Sequence, residues 1–202
     1  MGFCTVADVA TILQLTIAAD NAAALKAIDD ATAVIQNYCH QTLEAVAGEA
    51  VTFDVGPRQT KIFLPQLPVT AVASVVENDV TLTVTDDYLL GSHGVLHRVG
   101  VYWYAGVQKV TVTYSHGWAS IPADVAAVCA RAAARAYQAG LKAAATEGVA
   151  GVTAMTLGDY SVRYGSEQSG GAGEGGTLGV TAAILLTSDE KAYLARYRYR
   201  GA

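Results

Sequence analysis

The stretch Val107-Gln-Lys-Val-Thr-Val-Thr-Tyr114-Ser-His116-Gly117-Trp118-Ala-Ser-Ile121-Pro122-Ala-Asp124-Val125-Ala-Ala-Val128-Cys129-Ala-Arg131-Ala132 decides the fold. Residues 107–114 are β-branched and aromatic and read as a strand. His116 and Gly117 then form a loop that leads into Pro122, a residue favoured in the first turn of a helix, with Asp124 in that same turn. From there Val125, Val128, Cys129, Ala132, Ala136 and Leu141 recur at helical spacing, and Arg131 and Arg135 lie four apart on one side. A strand that runs directly into a long Ala-rich helix predicts an α+β chain.

Upstream, residues 51–115 keep the β pattern. Val51-Thr-Phe-Asp-Val55 and Lys61-Ile-Phe-Leu64, separated by Gly56-Pro57-Arg58, suggest a hairpin. Pro65 and Pro68 force an extended turn, and short strands follow over 69–77, 80–84, 88–90, 95–99 and 107–114, which together predict a small antiparallel β-domain. Ahead of it, Thr5-Val-Ala-Asp8 reads as a capped helix start that should stop near Leu15-Thr16. Asp20 then caps a second helix, with Ala24, Ile28, Ala31, Ile35 and Tyr38 on one side, running to about Cys39 and packing on the Pro122 helix.

Downstream, residues 152–164 alternate around Leu157-Gly158-Asp159-Tyr160 and predict two short strands or an extended arm. Residues 165–179 have the Gly-rich composition of a flexible loop. Thr187-Ser-Asp-Glu190 is a second capping box and opens a terminal helix that carries Tyr193, Arg196, Tyr197, Arg198 and Arg200. The expected organisation is N-terminal helices over 1–46, an inserted β-domain over 47–118, a long helix over 119–150 that completes a helical core, and an extended C-terminal arm over 151–202.

Composition narrows the function. Of 202 residues only 15% are charged, against about 25% in an average domain, which fits a subunit whose flanks are covered by copies of itself. The net charge of −5 argues against phosphate recognition as the main task. Three widely spaced cysteines, Cys4, Cys39 and Cys129, suit a reducing compartment rather than a disulfide framework. The N-terminus carries no signal-peptide or myristoylation pattern, and no apolar run approaches the roughly 20 residues of a membrane span.

Chemical motifs are weak. Gly171-Ala-Gly173-Glu-Gly-Gly176 has the letters of a dinucleotide fingerprint without the preceding strand or following helix, and Glu174 would repel a pyrophosphate. His93 and His97 have helical zinc spacing but sit in a β pattern, Cys39-His40 belongs to a helix end, and Asp86-Asp87 beside Tyr88 more simply forms a turn. No catalytic, metal or cofactor site is expected. The densest cluster is Tyr193, Arg196, Tyr197, Arg198, Tyr199 and Arg200. Nucleic-acid stacking is one reading of it, but Tyr and Arg are also the side chains of protein interface hot spots, and docking on a protein partner is favoured.

Taken in order, Asn37-Tyr38-Cys39-His40, Leu64-Pro65-Gln66-Leu67-Pro68-Val69, Asp87-Tyr88-Leu89-Leu90, Val112 to Trp118, Ile121-Pro122-Ala123-Asp124-Val125 and Leu157-Gly158-Asp159-Tyr160-Ser161-Val162 resemble the head-to-tail adaptor family of tailed bacteriophages. The resemblance implies a helical bundle with a β insertion, and a non-enzymatic homo-oligomeric ring, about twelve-fold to match the portal protein above it. It implies a place in the virion neck after synthesis in the host cytoplasm, and a head-closure or tail protein below. DNA would pass through without specific binding, along a lumen of acidic or neutral residues.

On the same grounds, the portal-docking role falls to Tyr193, Arg196, Tyr197 and Arg198. Tyr160, Val162, Tyr164, Arg131 and Arg135 are expected between subunits, and the terminal helix is expected to order only on its partner. The alternatives are a head-closure or tail-completion protein of the same neck, which would be mostly β, and a small hydrolase or nucleotide binder with a conventional pocket.

Overall fold

The computed structural model describes residues 2–145, 154–157, 160–163 and 186–199. The chain divides into two compact units, Met1–Ile35 with Ala126–Glu190 and Gln36–Val125 with Lys191–Ala202. Helices α2 (Ala22–Cys39), α3 (Ala123–Ala145) and α4 (Ser188–Leu194) each contribute residues to both.

In the first unit, α1 (Val6–Leu13) starts as the sequence predicts: Thr5 and Asp8 form a reciprocal capping box, and the helix ends with Gln14 in the left-handed region. The cap of α2 is Asn21, one residue past the expected Asp20, and its side-chain oxygen accepts from the Ala24 amide at 3.0 Å. Ala24, Ile28, Ala31 and Ile35 are buried, as their spacing requires. On α3, Val128, Cys129, Ala130, Ala132, Ala133, Ala134 and Ala136 are buried. Alanine on this many sides lets other backbone approach closely at little side-chain entropy cost. Leu141, the last apolar residue of the helical spacing, is exposed. Strands β8 (Ala154–Leu157) and β9 (Tyr160–Arg163) pair antiparallel, with Ala154 opposite Arg163 and Leu157 opposite Tyr160.

The second unit holds two antiparallel sheets. The larger has the order β1-β7-β3-β4, and the smaller β2-β6-β5. Strand β7 (Gly106–His116), from the decisive stretch, is central: it pairs with β1 (Val46–Val55) on one side and β3 (Val69–Glu77) on the other. Its residues Val110, Val112, Tyr114 and His116 are buried at a period of two, which fixes the register because a one-residue slip would turn all four to the other face. β3 turns into β4 (Val80–Thr81) through Asn78 and Asp79, both at positive φ, as a tight hairpin requires.

The expected hairpin between residues 51–55 and 61–64 does not form. β1 pairs with β7, while β2 (Lys61–Phe63) joins β6 (Val95–Arg98), which also pairs with β5 (Tyr88–Gly91). Val75, Val110, Val112 and Tyr114 from the larger sheet share one core with Ile62, Tyr88 and Leu96 from the smaller, and Trp103 fills it from the intervening loop. Splitting β1 and β2 between the sheets gives that core two walls, which a two-stranded ribbon would not.

After β7 the chain turns at Gly117, with φ +87, where a Cβ would lie 2.0 Å from the Glu44 carbonyl oxygen. Only glycine fits. The turn lets the Gly117 amide donate to Pro68 and the Trp118 amide to Leu43, both at 3.0 Å, and so aims Trp118 at the C-terminal segment.

Candidate functional site

The Tyr/Arg cluster predicted at the C-terminus lies within the second unit on a built surface. Asp124, in the first turn of α3, accepts from the Tyr197 hydroxyl with both carboxylate oxygens at 2.9 Å and pairs with Arg196. Partial burial alone would raise the Asp124 carboxyl, but the Tyr197 hydroxyl, the Val125 amide and Arg196 hold it below the ordinary range. The Trp118 ring meets the Tyr197 ring edge-on at 5.4 Å, and the Arg196 guanidinium lies 5.1 Å from the Tyr197 ring centre.

Backbone contacts complete the seat. The Gln41 side-chain amide donates to the Tyr197 carbonyl while its oxygen accepts from the Leu67 amide, and the Tyr199 amide donates to the carbonyl of Cys39 at 2.9 Å. The Tyr38 hydroxyl donates to the Lys191 carbonyl at 3.1 Å, the Arg198 guanidinium stands 5.7 Å from the Tyr38 ring centre, and Leu194 is buried. Every one of these contacts is made within the chain.

Seating sorts the four docking candidates. Tyr197 is half-buried and occupied by Asp124, whereas Tyr193 is 58% exposed and Arg196 and Arg198 also face outward. Gln41, which positions Tyr197, carried no sequence signal, since a lone glutamine after a helix has no characteristic neighbours. Asp124 had one, but as a helix-dipole residue rather than as an acceptor for a residue 73 positions away.

In the first unit, the second capping box is present: the Thr187 amide donates to Glu190 at 3.0 Å, and the Glu190 amide to the Thr187 hydroxyl at 3.3 Å. Arg135 grips the buried Glu190 carboxylate with two bonds of 2.7 and 2.8 Å, and the Arg131 Nε stands 3.8 Å away. Burial pushes the Glu190 carboxyl up, but Arg135 and Thr187 outweigh it and leave the group below its ordinary range. The arginines expected between subunits thus meet an acid of their own chain. Of the other residues expected there, Tyr160 and Val162 lie on β9 and Tyr164 falls outside the described residues, as do residues 165–179.

The remaining motifs disperse. His93 occupies a left-handed turn, and His97 pairs across β6 with Lys61 and Leu89. Among the described residues, no three His, Cys, Asp or Glu side chains gather as metal ligands. Asp87 caps its own turn by accepting from the Thr83 amide at 2.8 Å and pairs with Arg98. His116, read as a loop residue, ends β7 and is buried, with Nε2 2.6 Å from Glu49. No described helix is long and apolar enough to cross a membrane.

The family model described as head completion protein matches residues 2–132, from the N-terminal segment through the β sheets into α3. The chain belongs to the head completion protein family. Solved structures share the fold. A chain from the neck of the native GTA particle, computed with C12 symmetry, is 16% identical with a TM-score of 0.52, covering 98% of this chain and 89% of that one. Another, from the virion of the native gene transfer agent (GTA) particle, is 18% identical with a TM-score of 0.54, and the coverage is 98% and 90%. A third, from the neck of the empty GTA particle computed with C6 symmetry, is 18% identical with a TM-score of 0.50 and the same coverage. No curated protein matches the sequence.

Proposed function

We propose that the chain is a structural subunit of a virion neck, where copies close into a ring at the head-to-tail junction and extend the DNA channel. The reading rests first on the family, whose model spans residues 2–132. The likeness to chains from GTA necks, one computed with C12 symmetry, supports a cyclic arrangement of about twelve copies. Helices α1, α2 and α3 would form the bundle at the core of each subunit, with the sheets as its β insertion and residues beyond 150 as an arm. The work is contact rather than catalysis. Two helices of 18 and 23 residues favour the adaptor over a mostly β head-closure or tail-completion protein.

The observation that carries the docking role is the C-terminal segment itself. Tyr197 and Leu194 hold it in place while Tyr193, Arg196 and Arg198 are turned outward. A pre-ordered Tyr/Arg surface binds without a large ordering cost, and the portal protein is its proposed partner. The next neck or tail protein would bind at the opposite end of the ring. Arg131, Arg135, Tyr160, Val162 and Tyr164 remain proposed at the contacts between copies, and the net charge of −5 suits a lumen to which passing DNA does not adhere.

Light scattering of the purified chain mixed with the portal protein of the same particle tests the docking role. A joint complex that persists for the full chain and weakens at least about 30-fold for Tyr193→Ala with Arg198→Ala supports it. Equal binding by both would remove this segment from the interface.

A further inference from the structure

The two sulfur atoms of Cys4 and Cys129 lie 3.4 Å apart in the first unit, although 125 positions separate them in sequence. Neither is placed by chance. The Phe3 amide donates to the Thr32 hydroxyl at 3.2 Å, that hydroxyl donates to the Ile28 carbonyl at 2.8 Å, and the Phe3 side chain is buried. On the other side of Cys4, Thr5 is fixed by its capping box with Asp8. Anchored at both neighbours, Cys4 has little choice but to point at α3. Cys129 is wholly buried there, with its sulfur 3.6 Å from the Thr32 hydroxyl, and Cys4 is only partly covered.

We infer that Cys4 and Cys129 form a thiol–disulfide exchange site that takes a small soluble disulfide such as oxidised glutathione and closes into an intramolecular bond between the N-terminal segment and α3. A disulfide needs the sulfurs to approach to about 2.05 Å, and residues 2–5, outside any helix, supply that movement. Cys4 is the sulfur a soluble reagent can reach. As the proton shared by the two sulfurs shifts to Cys129, the Cys4 thiolate attacks one sulfur of glutathione disulfide, forming a mixed disulfide and releasing one glutathione thiolate, which takes up the Cys129 proton. The Cys129 thiolate then attacks the Cys4 sulfur, forms the protein bond and expels the second glutathione. Two protein thiols lose two electrons and their protons, and one glutathione disulfide becomes two glutathione thiols.

The hydrogen bond between the sulfurs divides the titration: the Cys4 thiol sustains a Cys129 thiolate and lowers its pKa, while Cys4 itself is raised. Cys39 is an internal control, since it is buried in the other unit and desolvation pushes its thiol up to about 11. On the neck reading, and on that reading alone, the pair stays reduced in the host cytoplasm and closes after the particle leaves the cell.

The test treats the purified full chain with oxidised glutathione at pH 8, alkylates the remaining thiols after denaturation and maps the peptides by mass spectrometry under non-reducing conditions. The expected result is a Cys4–Cys129 cross-link with Cys39 alkylated, and a melting temperature raised on the order of 10 °C, reversed by dithiothreitol. The Cys39→Ser variant should behave the same, and Cys4→Ser should lose both effects. A glutathione adduct left on Cys4 with Cys129 still free, a Cys4-linked dimer, or three unchanged thiols would each overturn the inference. None of these outcomes depends on a portal or a ring.

Discussion

The two ends of the C-terminal segment are held by acids of different standing. Glu190 is buried, gripped by two parallel bonds from Arg135, and its side chain is 5% exposed. Asp124 is 27% exposed and shares its charge between the Tyr197 hydroxyl and Arg196, whose own side chain is 63% exposed. Both carboxyls are held below their ordinary range. The two acids differ in how freely they can change partners. An acid that has left water must keep its partner, whereas one still in contact with water can exchange partners at small cost. The first arrangement suits an anchor and the second a surface that a partner protein can share.

Breaking the anchor should have the largest effect. Arg135→Ala leaves Glu190 buried beside only the more distant Arg131, and should lower stability by about 2–4 kcal/mol in urea unfolding. A loss under about 1 kcal/mol would mean that Arg131 moves in and that the two acids are equivalent after all.

Acid should act on both ends in the same direction. Folded pKa values below the unfolded ones stabilise the fold at any pH above the unfolded values, near 4, and this contribution is lost as pH falls through the lower folded values. Unfolding followed from pH 6 down to pH 2 should show the decline. Glu190→Gln should decline less steeply than the parent, and an unchanged slope would remove Glu190 from the account.

Tyr197→Phe keeps the ring against Trp118 and deletes the hydroxyl bonds, so about 1 kcal/mol should be lost. Arg196→Ala should cost less than about 0.5 kcal/mol. If Arg196 nevertheless matters for binding the portal, stability and docking are separated on one residue. Equal losses in both assays would make it merely structural.

The same contrast explains what the sequence discloses. Signals confined to a few residues are legible: the Thr5/Asp8 and Thr187/Glu190 boxes both form, and β3 runs over the residues its flanking Pro68 and Asn78 delimit. Pairing is not local. β1 and β2 are neighbours in sequence and read as a hairpin, yet their partners lie in β7 and β6, because one core had to be walled by two sheets. The Tyr/Arg cluster was visible as a docking candidate, but its seat on Asp124, Trp118 and Gln41 joins residues more than 70 positions apart, as the contact of Cys4 with Cys129 joins residues 125 apart. Composition carries no trace of either.

The proposed ring in the virion neck, joined to the portal through the C-terminal segment, can be seen directly. Electron cryomicroscopy of the neck of a particle that carries the chain tests it most directly. The expected result is a closed ring of about twelve copies between portal and tail, with Tyr193 and Arg198 against the portal and Tyr197 still on Asp124. A neck built without this chain, or a ring whose residues 191–199 face away from the portal, would contradict it.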